Sequence, residues 1–161
     1  MQTYIKSYQH IHNEIHLYKI FSYSSRGVPG LEVVGFGNHN KHLKEKIVYI
    51  SKLKELLIPN KKYTICLDQK IGSVLVAQEA YNFELPISIL FWKMIGAVKF
   101  ENLNNCYASG YYEMDGTVKT NFFPALAKKC FNNSESVILN VEQINESVRG
   151  ISVESLFSNM L

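Results

Sequence analysis

Glu84-Leu-Pro-Ile-Ser-Ile-Leu-Phe-Trp-Lys-Met-Ile-Gly-Ala-Val98 is apolar on every side, interrupted only by Ser88 and Lys93 after its leading glutamate. A helix hydrophobic all round is a buried one. Pro86 falls in its first turn, where the missing N–H has no partner to lose. The run is too short to span a bilayer, and no stretch of 18 apolar residues occurs elsewhere.

Strand signals lie on both sides. Met1–Tyr8 and His12–Tyr23 read as strands, the second alternating at Ile15, Leu17 and Phe21. Ser24-Ser-Arg-Gly-Val-Pro-Gly30 is turn chemistry, and Leu31–Phe36 is a short strand. From Asn40 to Leu57, apolar residues recur at Leu43, Ile47, Ile50, Leu53 and Leu57, which is helical spacing, and Pro59-Asn60 closes the run. Lys62–Leu67 reads as a strand, and Ser73–Ala80 as either a short helix or part of a loop.

Beyond Val98, Cys106–Glu113 reads as one strand, joined through Asp115-Gly116 to a hairpin partner at Thr117–Thr120. A helix at Phe122–Phe131, a strand at Val137–Leu139, a short helix at Val141–Ser147, a strand at Ile151–Val153 and a last helix complete the chain. Strands alternating with helices through 161 residues predict one α/β (α+β) domain, residues 1–161.

Composition excludes several classes. At 47% hydrophobic residues the chain has a core and is not disordered. Its net charge of +3 does not by itself imply nucleic acid. Cys66, Cys106 and Cys130 are odd in number and form no CxxC, so neither a disulfide framework nor a zinc ribbon is expected. They read as reduced thiols of a cytoplasmic protein, and Met1–Tyr8 lacks the long apolar core of a signal peptide.

Five segments, in order, carry a resemblance. They are Gly27-Val-Pro-Gly-Leu-Glu-Val-Val-Gly35, Ile58-Pro-Asn-Lys-Lys-Tyr-Thr-Ile-Cys-Leu67, Phe83-Glu-Leu-Pro-Ile87, Gly110-Tyr-Tyr-Glu-Met-Asp-Gly-Thr-Val-Lys119 with Pro124-Ala125, and Arg149-Gly-Ile-Ser-Val-Glu-Ser-Leu-Phe157. Together they resemble the N-terminal Lon-protease-like domain of Mg-chelatase-like, competence-associated AAA+ ATPases. In that family a G-L-P turn enters a strand ending V-G, a long charged helix follows, and F-D-L-P-I heads an apolar helix. The resemblance implies the fold shared by the Lon proteolytic domain and ribosomal protein S5 domain 2.

Departures from the family pattern bear on function. No G-x-x-x-x-G-K-[ST] occurs, so no P-loop cradles a nucleotide. Lon-type proteases use a Ser/Lys dyad. By the resemblance, its positions fall at or beside Glu84 and near Pro124, and neither residue can serve as activated hydroxyl or base. One turn further on, Ser88 and Lys128 offer a shifted pair. The implied role is a non-catalytic module that self-associates or docks on a separately encoded AAA+ ATPase, with no cofactor and no membrane.

The other candidates come from the residues alone. Lys41, Lys44, Lys46, Lys52 and Lys54, followed by Lys61 and Lys62, make a basic surface that could meet a phosphate backbone non-specifically, or a solvated helix face. His10, His12 and His16, and separately His39 and His42, have loose metal-ligand spacing with no cysteine or carboxylate motif completing a set. Tyr107, Tyr111, Tyr112, Phe122 and Phe123 read first as core packing; alternation puts Tyr107 and Tyr111 on one strand side and Tyr112 on the other, and the alternative is that one side meets a partner. Asp115 reads as a turn aspartate.

Overall fold

The computed structural model describes residues 2–68, 80–129 and 135–158. Of the stretch expected as a short helix or loop, residues 73–79 lie outside the described residues, as do Cys130 and Phe131. β1 (Gln2–Ile11) and β2 (Glu14–Ser25) form a long antiparallel hairpin, from Gln2 opposite Tyr23 to Ile11 opposite Glu14. The turn is His12-Asn13, with φ of 51° and 63°. Two left-handed residues match the right-handed twist of the flanking strands. His12 is therefore a turn residue, not the start of a strand.

β3 (Gly30–Val34), α1 (Asn40–Leu53) and β4 (Lys62–Leu67) follow, and β3 and β4 pair in parallel. α1 ends at Leu53, short of the expected Leu57. Glu55 turns left-handed at φ 55°, the Leu56 N–H returns to the Ser51 carbonyl, and the Glu55 N–H returns to Lys52. This is a Schellman closure built without glycine. α2 (Glu84–Met94) ends the same way. Gly96 is at φ 83°, with Ala97 N–H on Trp92 O and Gly96 N–H on Lys93 O, so the expected extension to Val98 does not form.

The stretch expected as one strand at Cys106–Glu113 breaks at Ser109. β5 (Cys106–Ala108) joins the main sheet, while β6 (Gly110–Tyr112) pairs antiparallel with β7 (Val118–Thr120) in a separate ribbon. The break brings Tyr112 beneath α2, away from the sheet plane that holds Tyr107. α3 (Pro124–Lys129), β8 (Ser136–Leu139), a single 3-10 turn at Val141–Gln143 where a longer helix was expected, β9 (Gly150–Ser152) and α4 (Val153–Phe157) close the chain.

The main sheet has seven strands in the order β3-β4-β2-β1-β5-β8-β9. The β1–β2 and β2–β4 pairings are antiparallel and the other four are parallel. The architecture is mixed α/β. Among the described residues, no helix is long and apolar enough to cross a membrane.

Strand alternation sends side chains to two cores. Ile5 and Ile11 of β1 enter the larger one, with Leu43, Ile47 and Ile50 of α1 and the buried residues of α2. Tyr8 enters the smaller one, with Tyr107, Val137, Leu139 and Leu126 of α3. α2 and α3 therefore serve opposite faces of the sheet.

Gly110 marks the tightest approach of the ribbon. A Cβ there would stand 2.4 Å from Lys119 O and 3.1 Å from Thr120 Cα, both backbone atoms. Gly110→Ala is expected to destabilise the protein by about 2–3 kcal/mol, the upper part of the range for overpacking. Urea unfolding followed by Trp92 fluorescence measures it. A loss under about 0.5 kcal/mol, the size of an ordinary surface change, would show that β6 and β7 can part freely.

Candidate functional site

The position expected to replace a nucleophile, Glu84, opens α2 and is 1% exposed. A carboxylate there meets the positive end of the helix dipole. Its Oε1 accepts the Tyr112 N–H at 2.9 Å and lies 3.5 Å from Lys46 Nζ. Burial pushes the Glu84 carboxyl above its usual range, opposed by the Tyr112 N–H and by Lys46.

One turn along, the Ser88 hydroxyl donates to Leu85 O at 2.7 Å. Its proton thus committed, it accepts from the Tyr112 hydroxyl at 2.6 Å. Another turn along, Trp92 Nε1 donates to Ser51 Oγ at 2.8 Å, and Ser51 donates to Ile47 O at 2.7 Å. Glu84, Ser88 and Trp92 share one face of α2 by their four-residue spacing. They form a polar row that ties α1, α2 and β6 together.

This row has the residue types of a catalytic site but not its chemistry. Ser88 is 0% exposed, so no substrate reaches it. Its oxygen neighbour is a phenol, Tyr112, whose pKa burial drives far up, so it stays protonated and cannot act as a base. The amine brought to the row, Lys46, is on the carboxylate.

Pro124 is exposed at the head of α3, and Leu126 anchors that helix in the smaller core, across the sheet from Ser88. The side chain of Lys128 lies outside the described residues.

The lysine run divides. Lys46 turns inward to Glu84. Lys54 sits 6.0 Å from the Trp92 ring centroid and 5.7 Å from that of Phe157, and burial lowers its pKa. Lys62 pairs with Glu32 at 3.2 Å. Lys52 and Lys61 are exposed. Lys41 and Lys44 line an open groove of about 610 Å³ between β3 and α1. Beside it, Ser24, Ser25, Arg26, Asn60 and Lys61 border a second concavity of about 470 Å³. Of the seven lysines, Lys46 and Lys54 thus make contacts within the chain, Lys62 pairs with Glu32, and Lys41 and Lys44 line the groove beside β3.

The remaining candidates have local roles. The His10 ring lies 4.7 Å from Phe123, and His16 lies 3.8 Å from Glu14. Among the described residues, no group of three or more His, Cys, Asp or Glu gathers as a metal set. Tyr107 is buried in the smaller core, against which Phe122 and Phe123 pack half-buried, and Tyr111 lies edge-on to Tyr81 at 4.9 Å. Asp115 Oδ1 accepts the Thr117 N–H at 2.9 Å. The Thr117 hydroxyl, then that N–H, hold the carboxyl below its usual range. Cys66 and Cys106 are free thiols, and burial pushes Cys106 up to about 11.

Sequence reasoning missed the roles of Lys46 and Tyr112. Lys46 stands three residues after Leu43 and four before Ile50, at the margin of the apolar stripe, and that placement was the available signal.

Compared with known proteins, the chain matches no family model, and no curated protein matches it.

Proposed function

We propose that this chain is a non-catalytic protein-interaction module, a relative of the Lon-protease-like domain of Mg-chelatase-like AAA+ proteins. One observation carries the non-catalytic reading. The Glu84 carboxylate and the Ser88 hydroxyl at the dyad-equivalent helix are buried, and each is held by partners within the chain.

The kinship reading is supported by where the motif segments fall. The Gly27–Gly35 segment enters β3 and precedes the charged helix α1. Phe83–Ile87 heads the apolar helix α2, and Gly110–Lys119 spans the β6–β7 hairpin. An S5-domain-2-like fold, a cytoplasmic setting, and a partner that is a separate AAA+ ATPase or a second copy belong to the same reading.

A phosphate-backbone surface on α1 is the weaker reading. Lys46, Lys54 and Lys62 are engaged within the chain, which leaves Lys41, Lys44, Lys52 and Lys61.

A fluorophosphonate probe tests the main reading. We expect no labelled serine in the folded chain, and a hydroxyl that reacts only after denaturation. Labelling of Ser88 under native conditions, abolished by Ser88→Ala, would overturn it.

A further inference from the structure

Among the described residues, β3 is the outermost strand of the sheet on its side, hydrogen-bonded to β4 alone. Its direction of pairing fixes which backbone groups are free. The Gly30 N–H donates to Lys61 O at 3.0 Å, so Gly30, Glu32 and Val34 aim their N–H and C=O groups at β4. By the two-residue period of a strand, Leu31 and Val33 aim theirs outward. Leu31 and Val33 are buried residues of the larger core, at 6% and 5% exposure, which seats the strand firmly at the sheet margin. An edge of this kind is a template for another strand.

The groove runs along this edge. Its floor and near wall are Val28, Leu31 and Val33, and its far wall is the α1 face carrying Lys41, Lys44 and Val48. Arg26 and Lys61 stand just past the Gly27 end. Against these cations are Glu32, which already faces Lys62, and Glu45.

We propose that β3 is the docking edge for an extended acidic segment of a partner protein, which adds to the sheet as a further strand between β3 and α1. This rests on the interaction-module reading and supplies its partner chemistry. Strand addition takes affinity from the backbone and specificity from alternate side chains. Every second residue of the added strand faces α1, where a carboxylate meets Lys41 or Lys44 and a β-branched residue meets Val48.

Charge selects among occupants. A second copy pairing edge to edge would bring Lys41 and Lys44 of both chains along one seam, like charge against like. A nucleic acid strand offers no alternating amide and carbonyl to Leu31 and Val33.

The test pans a phage-displayed library of random octapeptides against the whole chain. Enriched sequences are expected to carry Asp or Glu at every second position. A synthetic peptide of the enriched sequence should move the backbone amide resonances of Leu31 and Val33 more than those of Gly30, Glu32 and Val34. N-methylating one alternate set of its residues should weaken binding at least about tenfold, the scale of a lost hydrogen bond, while the other set is tolerated. Lys41→Glu with Lys44→Glu should cost about tenfold, as expected for two exposed charge pairs.

The proposal fails if no peptide is enriched, if the enriched motif is basic or aperiodic, or if β3 amides stay unmoved by a bound peptide. It also fails if the chain self-associates through β3 or binds DNA there in preference. A peptide bound at another surface leaves the interaction-module reading intact while removing this edge. Native labelling of Ser88 removes the non-catalytic reading without touching the edge.

Discussion

Lys46→Met is expected to cost about 3 kcal/mol of folding stability at neutral pH, the lower end of the range for breaking a buried ion pair from one side. The lower end applies because the Lys46 side chain keeps 16% exposure, against 2% for Glu84. The loss comes from what remains. Without the ammonium, the Glu84 carboxylate keeps the Tyr112 N–H, the weaker pull of His42 and the helix dipole to offset its burial.

The pH dependence has a definite sign. Burial already raises the Glu84 pKa in the folded chain, and removing Lys46 raises it further. A folded pKa above the unfolded one makes protonation favour the native state. The variant's deficit is therefore smallest below the ordinary glutamate value of 4.5 and grows as pH rises through the raised folded pKa. Urea unfolding of wild type and Lys46→Met between acid and neutral pH, read by Trp92 fluorescence, should show two curves that diverge upward. Adding Glu84→Gln should recover most of the loss, since its Oε1 still accepts from Tyr112. A deficit constant with pH, or undiminished by Glu84→Gln, would assign the effect to lost methylene packing instead.

The layered α/β plan was legible because its signals are local. The all-round apolar run of α2, the alternation of β2 and the Asp115-Gly116 turn each specify one element without help from elsewhere. What was not legible depends on distant partners. α1 stops at Leu53 because Leu56 has a buried seat that favours the left-handed Glu55, and no glycine announces it. Gly96 did announce the end of α2 but read as one more small residue in an apolar run. The break at Ser109 follows from Tyr112 needing to reach Ser88, a contact across 24 residues. For the candidate site, residue types were readable and pairings were not. Lys46 and Lys44 look alike in sequence, yet one faces Glu84 and the other lines the β3 groove, because successive helical positions are about 100° apart.

Trp92→Ala should be the most damaging single change in the core, at about 4 kcal/mol, within the range for deleting a large buried aromatic. Trp92 is 0% exposed, with Tyr112 at 5.7 Å and Phe157 at 5.3 Å, both near edge-to-face. Its indole fills the junction where α1, α2, β6 and α4 converge, and none of these can close the void without leaving another partner. The hydrogen bond is the smaller part. Ser51 keeps its own donation to Ile47 O when the indole is removed, so no buried donor is stranded. Trp92→Phe, which retains most of the ring volume, should accordingly cost only about 1–2 kcal/mol. Ser51→Ala strands the indole N–H in the core and should cost about 1–3 kcal/mol despite deleting a single oxygen. Thermal unfolding followed by far-ultraviolet circular dichroism, which does not need the tryptophan, ranks the three. Phe157 and Lys54 both rest on the same ring, so Trp92→Ala should also release α4, with hydrogen exchange at Val153–Phe157 rising before the sheet is affected. Equal losses for Trp92→Phe and Trp92→Ala would mean that the hydrogen bond, not the volume, holds this junction, and the polar row would then be the stronger half of the core.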